Sequence, residues 1–237
     1  MRPVPAVALV ARQFRRISLR ARLLTLDLGG VPFCFEAGQS ALVGREDGRL
    51  RKPYSMASAP EEATLGGVLE FIVGTDAHGR AGRHLDGIRC GSVLAVDGPI
   101  GSFHFPRRVS APQLLFVAGG TGIAPVRSMI RHAIASGYAG RITLAYSART
   151  DRDFAALAEL KRLVSVGQLE LALTVTRRAS ARWHGGRGRF TAERLTPLVE
   201  GPRTLCFVCG PASMVADLPP GLVEAGLPAN RIRVERW

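Results

Sequence analysis

Near residue 110 the apolar residues of this chain change their spacing, and no single layer of secondary structure accommodates both patterns. Up to about Phe105 they come in short or alternating runs, Ile17 to Leu28, Ala41 to Val43, Leu69 to Val73 and Val93 to Val96, broken by glycine and proline turns. That rhythm reads as an antiparallel β-barrel or sandwich. Leu114 to Ala118 is instead continuously apolar, and beyond a glycine-rich stretch Val126, Met129, Ile130, Ala133 and Ile134 recur at the spacing of one helix face. The polar segment Pro106 to Pro112 between the two patterns reads as a linker. A length of 237 residues suits two domains, which we place at 1–108 and 109–237.

The second half alternates strand-like and helix-like segments. Ile142 to Tyr146 reads as a strand, Phe154 to Val164 as a helix and Leu169 to Val175 as a strand; Leu205 to Cys209 is a fourth strand and Ile232 to Val234 the core of a fifth. Pro211 to Ala225 reads as helical with a break at Pro219-Pro220-Gly221. Such alternation predicts an α/β, doubly wound, parallel five-stranded sheet. In such a sheet, ligands lie beyond the carboxyl ends of the strands where strand order reverses. With the order 3-2-1-4-5, the loops after strands one and four face one crevice.

Those loops are Gly119-Gly120-Thr121-Gly122-Ile123-Ala124-Pro125 and Gly210-Pro211-Ala212-Ser213-Met214. Glycines let the backbone approach a pyrophosphate, and a following helix start attracts anions; Pro125 suits the first turn of that helix. Alone, the glycines could be a tight turn. The loops after strands two and three bring Arg149, Thr176 and Arg177 to the adenosine half of a dinucleotide, where arginine suits a 2′-phosphate and a carboxylate a free ribose. NADPH is therefore favoured over NADH, with Asp151 the nearby acidic counter-argument.

Among 32 basic residues only Lys52 and Lys161 are lysine, and the formal net charge is +13. Such a field steers acidic partners. The basic residues are scattered without an interleaved aromatic stripe, which argues against nucleic acid binding. No apolar run approaches the roughly 18 residues of a membrane span. The start, with two prolines in a short apolar stretch, reads as a first strand rather than a signal peptide, so a cytoplasmic protein is expected. Cys34, Cys90, Cys206 and Cys209 contain one C-x-x-C inside an apolar run, with no second pair at metal or cluster spacing.

Three segments in order, Arg51-Lys52-Pro53-Tyr54-Ser55-Met56-Ala57-Ser58, Gly119 to Pro125 and Cys209-Gly210-Pro211, resemble the ferredoxin-NADP reductase superfamily, and the likeness spans nearly the whole chain. The resemblance implies an FAD-binding barrel followed by an NADP- or NAD-binding domain. Tyr54 would pack on the flavin, Ser55 would hydrogen-bond near its N5, and Cys209 would lie near the nicotinamide, or else be a strand-end core residue. Gly79-Arg80-Ala81-Gly82-Arg83-His84-Leu85 resembles the second FAD phosphate segment, and Val73 is taken as a further cofactor contact. The family carries arginine where Lys52 stands and commonly serine or threonine where Gly82 stands. Lysine keeps the charge without the bidentate fork, with Arg51 as an alternative, and the lost hydroxyl predicts loosely held FAD. A C-terminal aromatic often covers the flavin in this family, a role open to Trp237, which could equally be a frayed end.

The implied activity is NAD(P)H oxidation through FAD to a separate acceptor: an acidic redox protein such as a ferredoxin or flavodoxin, or an oxygenase component. A flavin or quinone reductase without a protein partner, and an electron-transfer subunit of a larger complex, are the alternatives.

Overall fold

The computed structural model describes residues 6–76 and 78–236. Contacts divide the chain into two compact units, residues up to Phe105 with Arg127–Ser136, and Pro106–Val126 with Gly137–Trp237. The break thus falls at 105/106, where the sequence suggests 108/109, and most of one helix groups with the first unit.

The first unit is an antiparallel sheet of β1 (Val7–Ser18), β2 (Ala21–Asp27), β3 (Ser40–Arg45), β4 (Lys52–Ser55), β5 (Val68–Gly74) and β6 (Val93–Ile100), in the order β4-β3-β6-β1-β2-β5. The run Ile17 to Leu28 holds the turn joining β1 to β2, with Ser18 opposite Ala21. The sheet's two ends meet where Met56 bridges Phe71. There the Ala57 N–H donates to the Glu70 carbonyl at 2.7 Å and the Glu70 N–H to the Ser58 hydroxyl at 3.1 Å. The closed wall encloses Leu9, Leu24, Leu26, Met56, Phe71 and Leu94, all fully buried. Each such side chain contributes about 1.5–3 kcal/mol of burial.

Helix α1 (Pro60–Gly66) opens on a proline, and Glu62 accepts the Ala59 N–H at 2.8 Å, the reaching-back half of a capping box. Helix α2 (Ile123–Ala135) buries the predicted face through Val126, Met129, Ile130 and Ala133. It also buries polar residues that the helical period assigns to solvent. Arg127, 5% exposed, donates 2.7 Å bonds to the Ala57 carbonyl and the Glu70 carboxylate; Ser128 donates to the Ser58 carbonyl at 2.7 Å. Arg131 pairs with Glu62, and His132 Nδ1 lies 2.7 Å from Glu61. Burying a guanidinium is tolerable only because a carboxylate and a carbonyl receive it.

The second unit is a parallel sheet of β7 (Gln113–Gly119), β8 (Arg141–Ala148), β9 (Glu170–Val175), β10 (Gly186–Arg187), β11 (Leu205–Gly210) and β12 (Ile232–Arg236), ordered β10-β9-β8-β7-β11-β12. The five strands read from the sequence have the expected 3-2-1-4-5 order. The sheet nevertheless has six strands, not five: β10 is two residues in a glycine- and arginine-rich segment that carries no apolar period. Helices α3 (Leu157–Ser165), α4 (Ala192–Leu195) and α5 (Ala212–Glu224) join the strands. The expected break in α5 is absent. Its helix runs through Pro219 and Pro220, clamped by buried Leu218 and Leu222 on either side. Among the described residues no helix is long and apolar enough to cross a membrane.

Arg127→Ala removes the closer of the two cations on Glu70, leaving Arg131 at 3.7 Å, and is expected to cost about 3 kcal/mol. Thermal unfolding followed by circular dichroism should show an earlier transition; a midpoint unchanged from the parent contradicts the assignment.

Candidate functional site

Beyond the carboxyl ends of β7, β8 and β9 the second unit opens a cleft of ≈ 330 Å³. Of the residues named from sequence, Gly119, Gly120, Arg149, Thr176, Arg177 and Met214 line it; Thr121, Gly122, Pro125, Cys209 and Gly210 shape the loops behind. A Cβ on Gly119 would lie 2.8 Å from Pro211 Cδ and 2.9 Å from Met214 Cε, and one on Gly210 would lie 2.7 Å from Met214 Sδ. Gly119 is therefore required by the close approach of Pro211, and Gly210 leaves the Met214 side chain its place. Gly120 adopts φ +57° and opens the single 3-10 turn that leads into α2, with Pro125 in that helix's first turn.

The loop is held from beneath by Tyr146, which is fully buried. Its hydroxyl donates to the Gly120 carbonyl at 3.0 Å and accepts the Ala155 N–H at 3.1 Å. Burial pushes its pKa upward, so it stays a neutral phenol able to do both. Sequence reasoning counted Tyr146 as an apolar strand residue. A hydroxyl in a buried strand, which must find partners, was the available signal.

The loops after β8 and β9 are joined main chain to main chain: Thr176 N–H to the Ala148 carbonyl and Arg177 N–H to the Arg149 carbonyl, both at 2.9 Å. This sets Arg149 and Arg177 side by side. A third cleft arginine, Arg189, was missed by sequence reasoning. Its segment is fixed by Gly188 N–H to the Val175 carbonyl at 2.8 Å and by Arg194, which bonds the carbonyls of Arg187 and Arg189. Phe190 and Asp217, also unforeseen, complete that wall. Asp151 does not line the cleft; its carboxyl bonds Ser180, which holds it below the usual carboxylate range.

Cys209, the penultimate residue of β11, is almost fully buried, its Sγ 3.9 Å from Glu235 Oε2. Burial first and then the Glu235 charge raise the thiol well above its ordinary value, so it is no thiolate. Trp237 lies outside the described residues.

In the first unit, Lys52, Pro53, Tyr54 and Ser55 form β4 at the sheet's edge. Tyr54 is half-buried against the barrel core. Burial pushes its pKa up to about 12, and its hydroxyl lies 2.7 Å from Nε2 of His84. The Ser55 and Ser40 hydroxyls are 3.3 Å apart. Lys52 is exposed and near enough for its charge to add to burial in lowering the His84 pKa. Arg80 is engaged by Asp76 at 3.1 Å, Gly79 turns at φ +77°, and Gly82 with Arg83 opens a single 3-10 turn. Val73 is fully buried in the barrel core, so any cofactor contact of its own would come from main chain rather than side chain.

Both regions fit their groups. The glycine loop and arginine-lined cleft suit a dinucleotide phosphate; the half-buried phenol with a lysine beside it suits a flavin and its phosphates. Together they define a flavin- and nicotinamide-dependent oxidoreductase. Residues 12–105 match the oxidoreductase FAD-binding domain and residues 116–219 the oxidoreductase NAD-binding domain. The chain is 32% identical to ferredoxin–NADP reductase B of Sorangium cellulosum over 220 residues, 88% of this chain and 87% of that one. It is 30% identical over 221 residues to the ferredoxin–NAD(+) reductase component of the alkene monooxygenase system of Xanthobacter autotrophicus, covering 90% of this chain and 64% of that one. A ferredoxin NADP+ reductase from Neisseria gonorrhoeae, solved with bound FAD and NADP, shares the fold with a TM-score of 0.82 at 19% identity, over 98% of this chain and 99% of that one. The chain belongs to the ferredoxin-NADP reductase superfamily, and is an NAD(P)H-dependent flavoprotein reductase with FAD and NAD(P) as its cofactors.

Gly119→Ala forces Met214 and Pro211 off the loop and is expected to weaken NAD(P)H binding about tenfold, the equivalent of roughly 1.4 kcal/mol. FAD content should stay at the parent level. Nucleotide titration by calorimetry reads the first and absorbance the second, and parental nucleotide affinity would remove the close-approach argument.

Proposed function

We propose that this reductase prefers NADPH to NADH and passes its electrons through FAD to an acidic redox protein such as a ferredoxin or flavodoxin, or to an oxygenase component. The observation that carries the coenzyme preference is the main-chain pairing that sets Arg149 beside Arg177, with Arg189 lining the same cleft and Asp151 turned to Ser180. Guanidinium groups bind a phosphate through paired, charge-assisted bonds, whereas a free ribose hydroxyl gains little from them. The net charge of +13 supports an acidic acceptor, and the two relatives named above are ferredoxin reductases.

Bound FAD supplies the exchange between two-electron hydride chemistry and single-electron delivery. The chain's own residues bind and orient. Lys52 neutralises phosphate charge, Tyr54 offers a ring to the flavin and Ser55 a hydroxyl beside it. Gly79, Arg80, Gly82 and Arg83 form the second phosphate segment. Cys209, as a buried neutral thiol, leaves room for the nicotinamide without adding charge.

Anaerobic mixing with each nucleotide, followed by flavin absorbance, tests the reading. NADPH should bleach the flavin at lower concentration than NADH. The variant Arg149→Ala/Arg177→Ala should raise KM for NADPH at least about tenfold and leave NADH nearly unchanged, the size expected for lost charge-assisted bonds. Equal use of both nucleotides by the parent defeats the preference. Ferredoxin reduction should slow as salt rises; a salt-independent rate counts against an acidic partner.

A further inference from the structure

Gly82, where the family commonly carries a hydroxyl side chain, lies against a residue that sequence reasoning passed over. A Cβ at position 82 would sit 2.8 Å from Cε1 and 3.0 Å from Nδ1 of His84. No side chain at 82 can share that space with the imidazole where it now lies. The departure at Gly82 is therefore not only a missing hydroxyl; it is the room the histidine ring occupies.

His84 is 5% exposed. Its Nε2 is 2.7 Å from the Tyr54 hydroxyl, and the two rings stack with centroids 5.6 Å apart and planes 24° from parallel. Nδ1 is buried with no hydrogen-bond partner among the described residues, which leaves the bond to Tyr54 as the polar anchor of the ring there. Burial and the Lys52 charge keep the imidazole neutral, and burial keeps the phenol protonated. The pair thus makes one neutral hydrogen bond whichever ring nitrogen holds the proton.

We infer that His84, seated in the room left by Gly82, is a positioning residue that fixes the plane of the Tyr54 ring presented to the flavin. The inference rests on Tyr54 being the residue that packs on the flavin. A phenol bonded at its hydroxyl and stacked along its face has few orientations left to lose when the cofactor arrives, whereas an unsupported one must be ordered on binding. The chain has exchanged one hydroxyl contact to the cofactor for a preset aromatic surface.

The test is titration of apoprotein with FAD by fluorescence quenching, together with visible circular dichroism of the bound flavin, which senses the ring packed beside it. His84→Ala and Gly82→Ser should each weaken FAD binding about tenfold, the scale of one hydrogen bond with its ring packing, and each should diminish the visible dichroism. The serine variant carries the family's own residue and should nevertheless lose affinity, because the imidazole is expelled. The double variant should be no worse than either single change. His84→Gln, which places an amide near the Nε2 position, should recover most of the dichroism. Gly82→Ser binding FAD as tightly as the parent with unchanged dichroism overturns the inference, as do single effects that multiply in the double variant. Thermal melting of each apoprotein identifies any variant that fails to fold, and Gly82→Ser leaves the Tyr54 and His84 side chains unchanged. Tyr54→Ala separates the two readings: if it changes neither affinity nor dichroism, the flavin role of Tyr54 fails, and if it changes both while the His84 and Gly82 variants change neither, only the positioning role fails.

Discussion

Strands β7 and β11 run side by side in register from Leu114 opposite Leu205 to Ala118 opposite Cys209, and each ends one residue later in glycine. The nucleotide half depends on that paired ending. Parallel pairing brings both carboxyl ends to one edge of the sheet, where the doubly wound order opens a crevice. Side chains at Gly119 and Gly210 would close it against Pro211 and Met214. The flanking strands then set chemistry rather than shape: β8 and β9 extend into loops locked main chain to main chain, which fixes where their arginines start.

Hydrophobic spacing made much of this legible. A fully buried parallel strand reads as an unbroken apolar run, and Leu114 to Ala118 and Leu205 to Cys209 are such runs. Their order along the chain, with the alternating helices, is enough to set the glycine loops facing one crevice. What stayed hidden lacked a period. Gly186–Arg187 pairs with β9 through backbone alone. Arg189 and Phe190 reach the cleft because an irregular loop folds back, which no local pattern encodes. Prolines 219 and 220 looked like a break because propensity is local, while the buried leucines around them act through tertiary packing.

Polar residues were the harder class. Arg127 and Ser128 sit on the side of α2 that a helical wheel gives to water, yet they are buried on Ala57, Ser58 and Glu70. The sequence carries Glu70 and Arg127 far apart, and nothing local pairs them. Tyr146 and His84 follow the same rule: their functional argument lies in the partner of one polar atom, Gly120 for the first and Tyr54 for the second. Tyr54 itself was recognisable from its motif; what supports it was not.

Among the described residues the barrel closes through a bridge at Met56 and Phe71, and β4 there has a strand neighbour on one side, β3, and so remains an edge. Open edges invite pairing with other chains, and proteins commonly deter it with a charged residue or a proline in the edge strand. Lys52 and Pro53, both exposed, put one of each at the start of β4. The strand proposed to meet a cofactor's phosphates and ring thus begins with residues of the kind that suit an open edge, so its sequence answers to solubility as well as to chemistry.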